Sequence, residues 1–105
     1  MNSKKIALFA SGSGTNAQKI IEYFADNKSI ITDSLWSNNP GAYALTRAAN
    51  LGIDTFIFNR RQLYETDEVR QMLHQRGIDL IVLAGFLWLI PEALINDFTI
   101  INIHP

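Results

Sequence analysis

Five apolar runs alternate along the chain with stretches whose apolar positions recur at helical spacing. Residues 6–10 form the first run. After a turn of small residues, Ala17, Ile20, Ile21, Phe24 and Ala25 fall at i, i+3, i+4, i+7 and i+8, one face of a helix, so residues 17–26 predict the first helix. Residues 30–37 predict the second strand. Asn39-Pro40 reads as a helix start, with Asn as cap and Pro at the first helical position. Ala44, Leu45, Ala48 and Ala49 make that helix's buried stripe, and Gly52 closes it. Residues 54–58 predict the third strand. Thr66 or Asp67 can cap a third helix, with Val69, Met72 and Leu73 inward and Gly77 at its end. Residues 80–84 are continuously apolar, as a strand covered on both faces would be. Pro91 opens a short fourth helix to Asp97, and residues 99–103 make the fifth strand.

This βαβαβαβαβ pattern predicts an α/β fold, a Rossmann-like open parallel sheet with helices on both faces and strand order 3-2-1-4-5. Ligands of such sheets sit beyond the carboxyl ends of the strands, where the order reverses, here between strands 1 and 4. The loops at that point are residues 11–16 and 85–89, and the loop after strand 5 begins beside them at His104.

Ser11-Gly12-Ser13-Gly14-Thr15-Asn16 therefore draws the first attention. It joins a strand to a helix whose first turn has free N–H groups and a partial positive charge, and glycine lets an anion approach them. Ser13, Thr15 and Asn16 add side-chain donors. The plainer reading is a β-to-α turn in which glycine only relieves sterics. Gly12 to Ala17 also fits the G-x-G-x-x-A dinucleotide fingerprint. That fingerprint wants an acidic residue about 20 positions on, and the second strand ends instead in Asn38-Asn39. The loop thus suits a single phosphate group better than a dinucleotide.

Composition narrows the classes. The chain has 105 residues, 48% of them hydrophobic, and a net charge of −1, which describes one globular domain with no electrostatic footprint for nucleic acid or for a membrane surface. Cysteine is absent, which removes disulfides and thiolate metal sites. The apolar run after Lys4-Lys5 is too short for a signal peptide or a membrane span. A cytoplasmic location is the expectation, with no metal site.

Asn102 and His104 fall on the same side of the fifth strand by alternation, and Ile103 faces the other way. An amide and an imidazole at a strand's carboxyl end can act together, Asn102 donating to a developing oxyanion and His104 as general acid or base. They also fit a polar pair satisfied by backbone. The segment Gly85-Phe86-Leu87-Trp88-Leu89-Ile90 could line a pocket for a flat heterocycle, or pack as core beneath the fourth helix. Arg60 and Arg61 lie on the same rim, where either could reach an anion or simply be solvated. His74 reads as a surface residue, and Asp33, Asp54, Asp67, Asp79 and Asp97 are scattered among caps and strand starts.

Three stretches together, Ser11 to Asn16, Leu83-Ala84-Gly85-Phe86 and Asn102-Ile103-His104-Pro105, resemble the glycinamide ribonucleotide formyltransferase family in order and near-spacing. The last two are shared with the wider formyltransferase superfamily, and the Gly-Ser-Gly-Thr-Asn loop is more specific to the glycinamide ribonucleotide branch. The resemblance implies transfer of a formyl group from 10-formyltetrahydrofolate to the amine of glycinamide ribonucleotide, in purine biosynthesis and without a metal. It implies that Gly14, Thr15 and Asn16 hold the substrate's phosphate. Arg61 would contact the folate, and Leu87, Trp88, Leu89 and Ile90 would line the pterin pocket. Asn102 would bind the formyl oxygen and His104 would be the general acid. Trp88 stands where many members have arginine. Another folate-dependent formyltransferase or hydrolase, or a non-catalytic phosphate-binding module, are the competing readings.

The resemblance covers all 105 residues but about the first half of the family's domain. Residues 1–105 are thus expected to be the N-terminal half of a formyltransferase domain, a truncated formyltransferase fold without its C-terminal half. The family's later aspartate, which tunes the histidine, is not in this sequence, and the chain alone is expected to have little or no activity. The fifth strand's edge and the apolar residues 86–90 would be exposed, inviting a homodimer or other self-association.

Overall fold

The apolar runs become five parallel strands of one sheet, in the order β3-β2-β1-β4-β5. The computed structural model describes residues 3–103. In chain order the elements are β1 (Lys4–Phe9), α1 (Thr15–Tyr23), β2 (Ile30–Ser37), α2 (Tyr43–Asn50), β3 (Asp54–Ile57), a π-helical turn (Arg61–Glu65), α3 (Glu68–Gln75), β4 (Leu80–Ala84), α4 (Glu92–Asp97) and β5 (Thr99–Ile103). The predicted sheet order and helix count hold.

Each face of the sheet buries its own core. Ala17 and Ile21 of α1, with Ala44 and Ala48 of α2, pack on Leu8, Leu35 and Val82. Val69 and Leu73 of α3, with Leu94 and Phe98 at α4, pack on Phe9, Trp36 and Ile81. β1 and β4 are buried on both faces, which explains their unbroken apolar runs.

One irregularity re-aims a charge. The β1–β2 register slips between Ile6, opposite Thr32, and Ala7, opposite Ser34, leaving Asp33 as a bulge. Ile30 and Leu35 both pack against the α1/α2 face although their spacing is odd, so the phase of the strand changes at the bulge. Asp33 thereby meets the Arg76 guanidinium from α3 at 2.7 Å. Beside it, Thr32 Oγ1 is buried without a partner among the described residues.

Several element ends differ from expectation. α2 starts at Tyr43, not at Asn39-Pro40. Asn39 Oδ1 accepts from the Gly41 N–H at 3.0 Å, closing a tight turn before the helix. Ala49 and Met72 are exposed because they flank the buried stripes. α1 stops at Tyr23, which leaves Ala25 exposed beyond it. The π-helical turn, whose Leu63 alone is buried, was not anticipated.

Candidate functional site

The loop before α1 is fixed from several directions. Gly14 is the N-cap of α1 with φ +79°, and no side chain caps the helix. The first-turn N–H groups therefore keep their capacity for an anion. A Cβ on Gly14 would lie 2.5 Å from Ala44 Cα, so α1 and α2 meet here without room for a side chain. The Ala44 N–H donates to the Gly12 carbonyl at 3.0 Å, and Arg47 Nε donates to the Ser13 carbonyl at 2.7 Å. Ser13 Oγ and Thr15 Oγ1 are 3.3 Å apart at the mouth.

In front of this loop opens a cleft of about 500 Å³. Ser13, Gly14, Thr15, Asn16 and Lys19 form one wall, and Ala84, Gly85 and Leu87 the other. Lys19 was missed by the sequence reading. Its signal was spacing: it stands four residues after Thr15, on the same helix face. Gly14, Thr15 and Asn16 thus line the cleft, with the Lys19 cation beside them.

A second hollow of about 380 Å³ is lined by Arg60, Tyr64, Leu87, Trp88 and Leu89. The Arg60 guanidinium lies 4.8 Å from the Trp88 ring centre and 5.6 Å from that of Tyr64. The Tyr64 hydroxyl donates to the Leu89 carbonyl at 2.6 Å. The segment divides by alternation. Phe86, Trp88 and Ile90 pack against the α3/α4 core, whereas Leu87 and Leu89 are 82% and 85% exposed. Arg61 is exposed and stands outside this lining. The arginine at the hollow is Arg60.

Ser11 joins these regions. It is 5% exposed, and its hydroxyl donates to Asn38 Oδ1 at 2.6 Å while accepting from the Leu87 N–H at 2.9 Å. Asn38, at the position where a dinucleotide fold would want a carboxylate, is committed to this contact. Asn102 lies opposite Leu83 on β5 and is exposed. It shares a sheet face with Ile100, which packs against the α3/α4 core, whereas Ile103 packs against the α1/α2 core. His104 lies outside the described residues. Among the described residues, no three histidine or carboxylate side chains cluster as a metal site, and no helix is long and apolar enough to cross a membrane.

The displaced ionisations lie away from the cleft. Hydrogen bonds from His74, then Arg70, hold the Asp97 carboxyl below its ordinary range. Bonds to Asp33 and Asp54 push the Arg76 guanidinium up. His74 is half exposed, as expected of a surface residue, yet its Nε2 is 2.8 Å from Asp97 Oδ2.

Residues 4–105 match the formyl transferase family. The chain belongs to that family. Among its formyl transferase relatives, phosphoribosylglycinamide formyltransferase of Haemophilus influenzae is 36% identical over 97% of this chain and 51% of its own. That of Dictyostelium discoideum is 32% identical over 95% of this chain and 58% of its own. The chain thus spans about half the length of these curated relatives. The solved glycinamide ribonucleotide transformylase 1 of Geobacillus kaustophilus superposes with a TM-score of 0.87 at 35% identity, over 99% of this chain and 59% of its own. The glycine-rich cleft, the segment after β4 and Asn102 all fall within the matched formyl transferase region.

Proposed function

We propose that this chain is the N-terminal, phosphate-binding half of a phosphoribosylglycinamide formyltransferase domain. It would pass a formyl group from 10-formyltetrahydrofolate to the primary amine of glycinamide ribonucleotide. The observation that carries the reading is the cleft before α1, where uncapped N–H groups, Thr15, Asn16 and Lys19 converge on space for a phosphate.

In this reading the phosphate sits on Gly14, Thr15 and Asn16, and its amine extends toward the carboxyl end of β5. The folate enters beside Leu87, Trp88, Leu89 and Ile90. Arg60, stacked on Trp88, or Arg61 next to it, meets its acidic end. The amine nitrogen attacks the formyl carbon and the carbonyl pair moves to oxygen. Asn102 donates to that oxyanion, with His104 as the acid. Collapse of the intermediate breaks the bond to the folate nitrogen, which takes up a proton while the new amide nitrogen gives one up. A cytoplasmic location goes with this reading, as does the outer edge of β5 as a pairing edge for further chain or a second copy.

Formyl transfer by the full natural protein tests the proposal, with glycinamide ribonucleotide and 10-formyltetrahydrofolate as substrates. Asn102→Ala is expected to lower kcat by about 10²–10³-fold, the range for a lost oxyanion donor, and His104→Ala to abolish turnover. A natural protein without transfer, or an Asn102→Ala variant with unchanged kcat, sinks it.

A further inference from the structure

Leu87 is the wall shared by the two hollows. The residue is 82% exposed, so core packing does not fix it, and its place is set through its backbone. The Leu87 N–H donates to the buried Ser11 Oγ at 2.9 Å. The Ser11 hydroxyl in turn donates to Asn38 Oδ1 at 2.6 Å, at the end of β2. The far end of the segment is tied by Tyr64 to the Leu89 carbonyl.

We propose that Ser11 is a positioning residue whose hydroxyl, oriented by Asn38, holds the Leu87 partition. The ligands of the two hollows then meet at a fixed distance and angle. This rests on the reading above, with the phosphate-bearing amine in the first hollow and the formyl donor in the second. The glycine-rich loop does not itself depend on that hydroxyl. The Ser11 N–H bonds the Gly85 carbonyl at 3.1 Å, Gly12 is held by Ala44 and Ser13 by Arg47. All three survive Ser11→Ala. Only the Leu87 N–H and the Asn38 amide lose a partner.

The test uses Ser11→Ala and Asn38→Ala in the full natural protein carrying fluorine-labelled tryptophan. The Trp88 resonance, assigned with Trp88→Phe, is expected to shift or broaden in both variants, more in Ser11→Ala. The Trp36 resonance, from a ring 1% exposed in the core, is expected to stay in place. In Ser11→Ala kcat is expected to fall about 10- to 100-fold, the scale of small misplacements. KM for the amine substrate should stay within about twofold, because its phosphate loop is intact. An unmoved Trp88 resonance, an unchanged kcat, or a Trp36 shift marking general loss of fold would overturn the proposal. Absence of transfer in the unsubstituted protein sinks the functional reading instead, and the Trp88 resonance then decides the positioning role.

Discussion

Gly14 carries two constraints at once. Its φ of +79° is a conformation that L side chains rarely adopt, and a Cβ would stand 2.5 Å from Ala44 Cα and 2.6 Å from Ala44 Cβ. Relief requires α1 to move away from α2, taking the Thr15 and Asn16 N–H groups out of line with the cleft. Gly14→Ala is expected to cost about 2–5 kcal/mol, summing a strained backbone and an overpacked contact. Gly12 provides the control, since its Cβ would meet nothing within 4 Å and its φ is not positive. Gly12→Ala is expected to change stability by less than about 1 kcal/mol. Urea unfolding of both variants checks the contrast, and equal losses would show that the α1–α2 approach is not what demands glycine. The two glycines look alike in the sequence. The left-handed backbone at Gly14 and the approach of Ala44, 30 positions away, separate them.

At the scale of elements, α3 is tied down by charge at both ends of its exposed flank. Arg76, its C-cap, reaches Asp33 on β2 and Asp54 on β3, each at 2.7 Å, and lies over Phe56. Arg70 and His74 reach Asp97 at the end of α4, and Asp67 also faces Arg70. The Asp97 carboxyl is held below its ordinary value, first by His74 and then by Arg70. The native state therefore binds fewer protons than the unfolded chain just below that value, and stability rises with pH there. Its contribution is fully present at neutral pH and lost as pH falls through the lowered value. Asp97→Asn is expected to destabilise at pH 7 and to match the parent once the medium is acid enough to protonate Asp97. Urea midpoints across that range check it, and a deficit independent of pH would show that packing, not charge, is what Asp97 supplies. These ties also mark what the sequence could not disclose. Strands were legible because burial on both faces leaves residues 6–9 of β1 and all of β4 apolar, and the helix stripes because α1, α2 and α3 each bury one side. The pairing of Asp33 with Arg76 goes with a bulge that no period encodes. Arg60, at the start of an unforeseen π-helical turn, reaches Trp88 where Arg61 does not, and Lys19 faces Gly85 across a cleft that only the folded chain forms.

At the scale of the molecule, the two sheet edges differ. β3 has four residues, and its charged Asp54 is engaged by Arg76 from α3. Short length and charge are the usual ways to blunt an edge. β5 has neither. Thr99–Ile103 carries three isoleucines and no charge, pairs only with β4 among the described residues, and leaves Ile101 46% exposed. Leu87 and Leu89, after β4, are two further exposed apolar residues. The 105-residue polypeptide by itself is therefore expected to self-associate at micromolar concentration, where unpaired strand edges commonly do so. Light scattering over a dilution series should show a mass that rises with concentration. Ile101→Lys adds a charge to that edge strand without touching the α3/α4 core and is expected to return the monomer. If the parent chain is monomeric throughout, the β5 edge is not a pairing edge. If the parent associates and Ile101→Lys associates as strongly, the contact lies elsewhere, and the exposed leucines after β4 become the surface to substitute next.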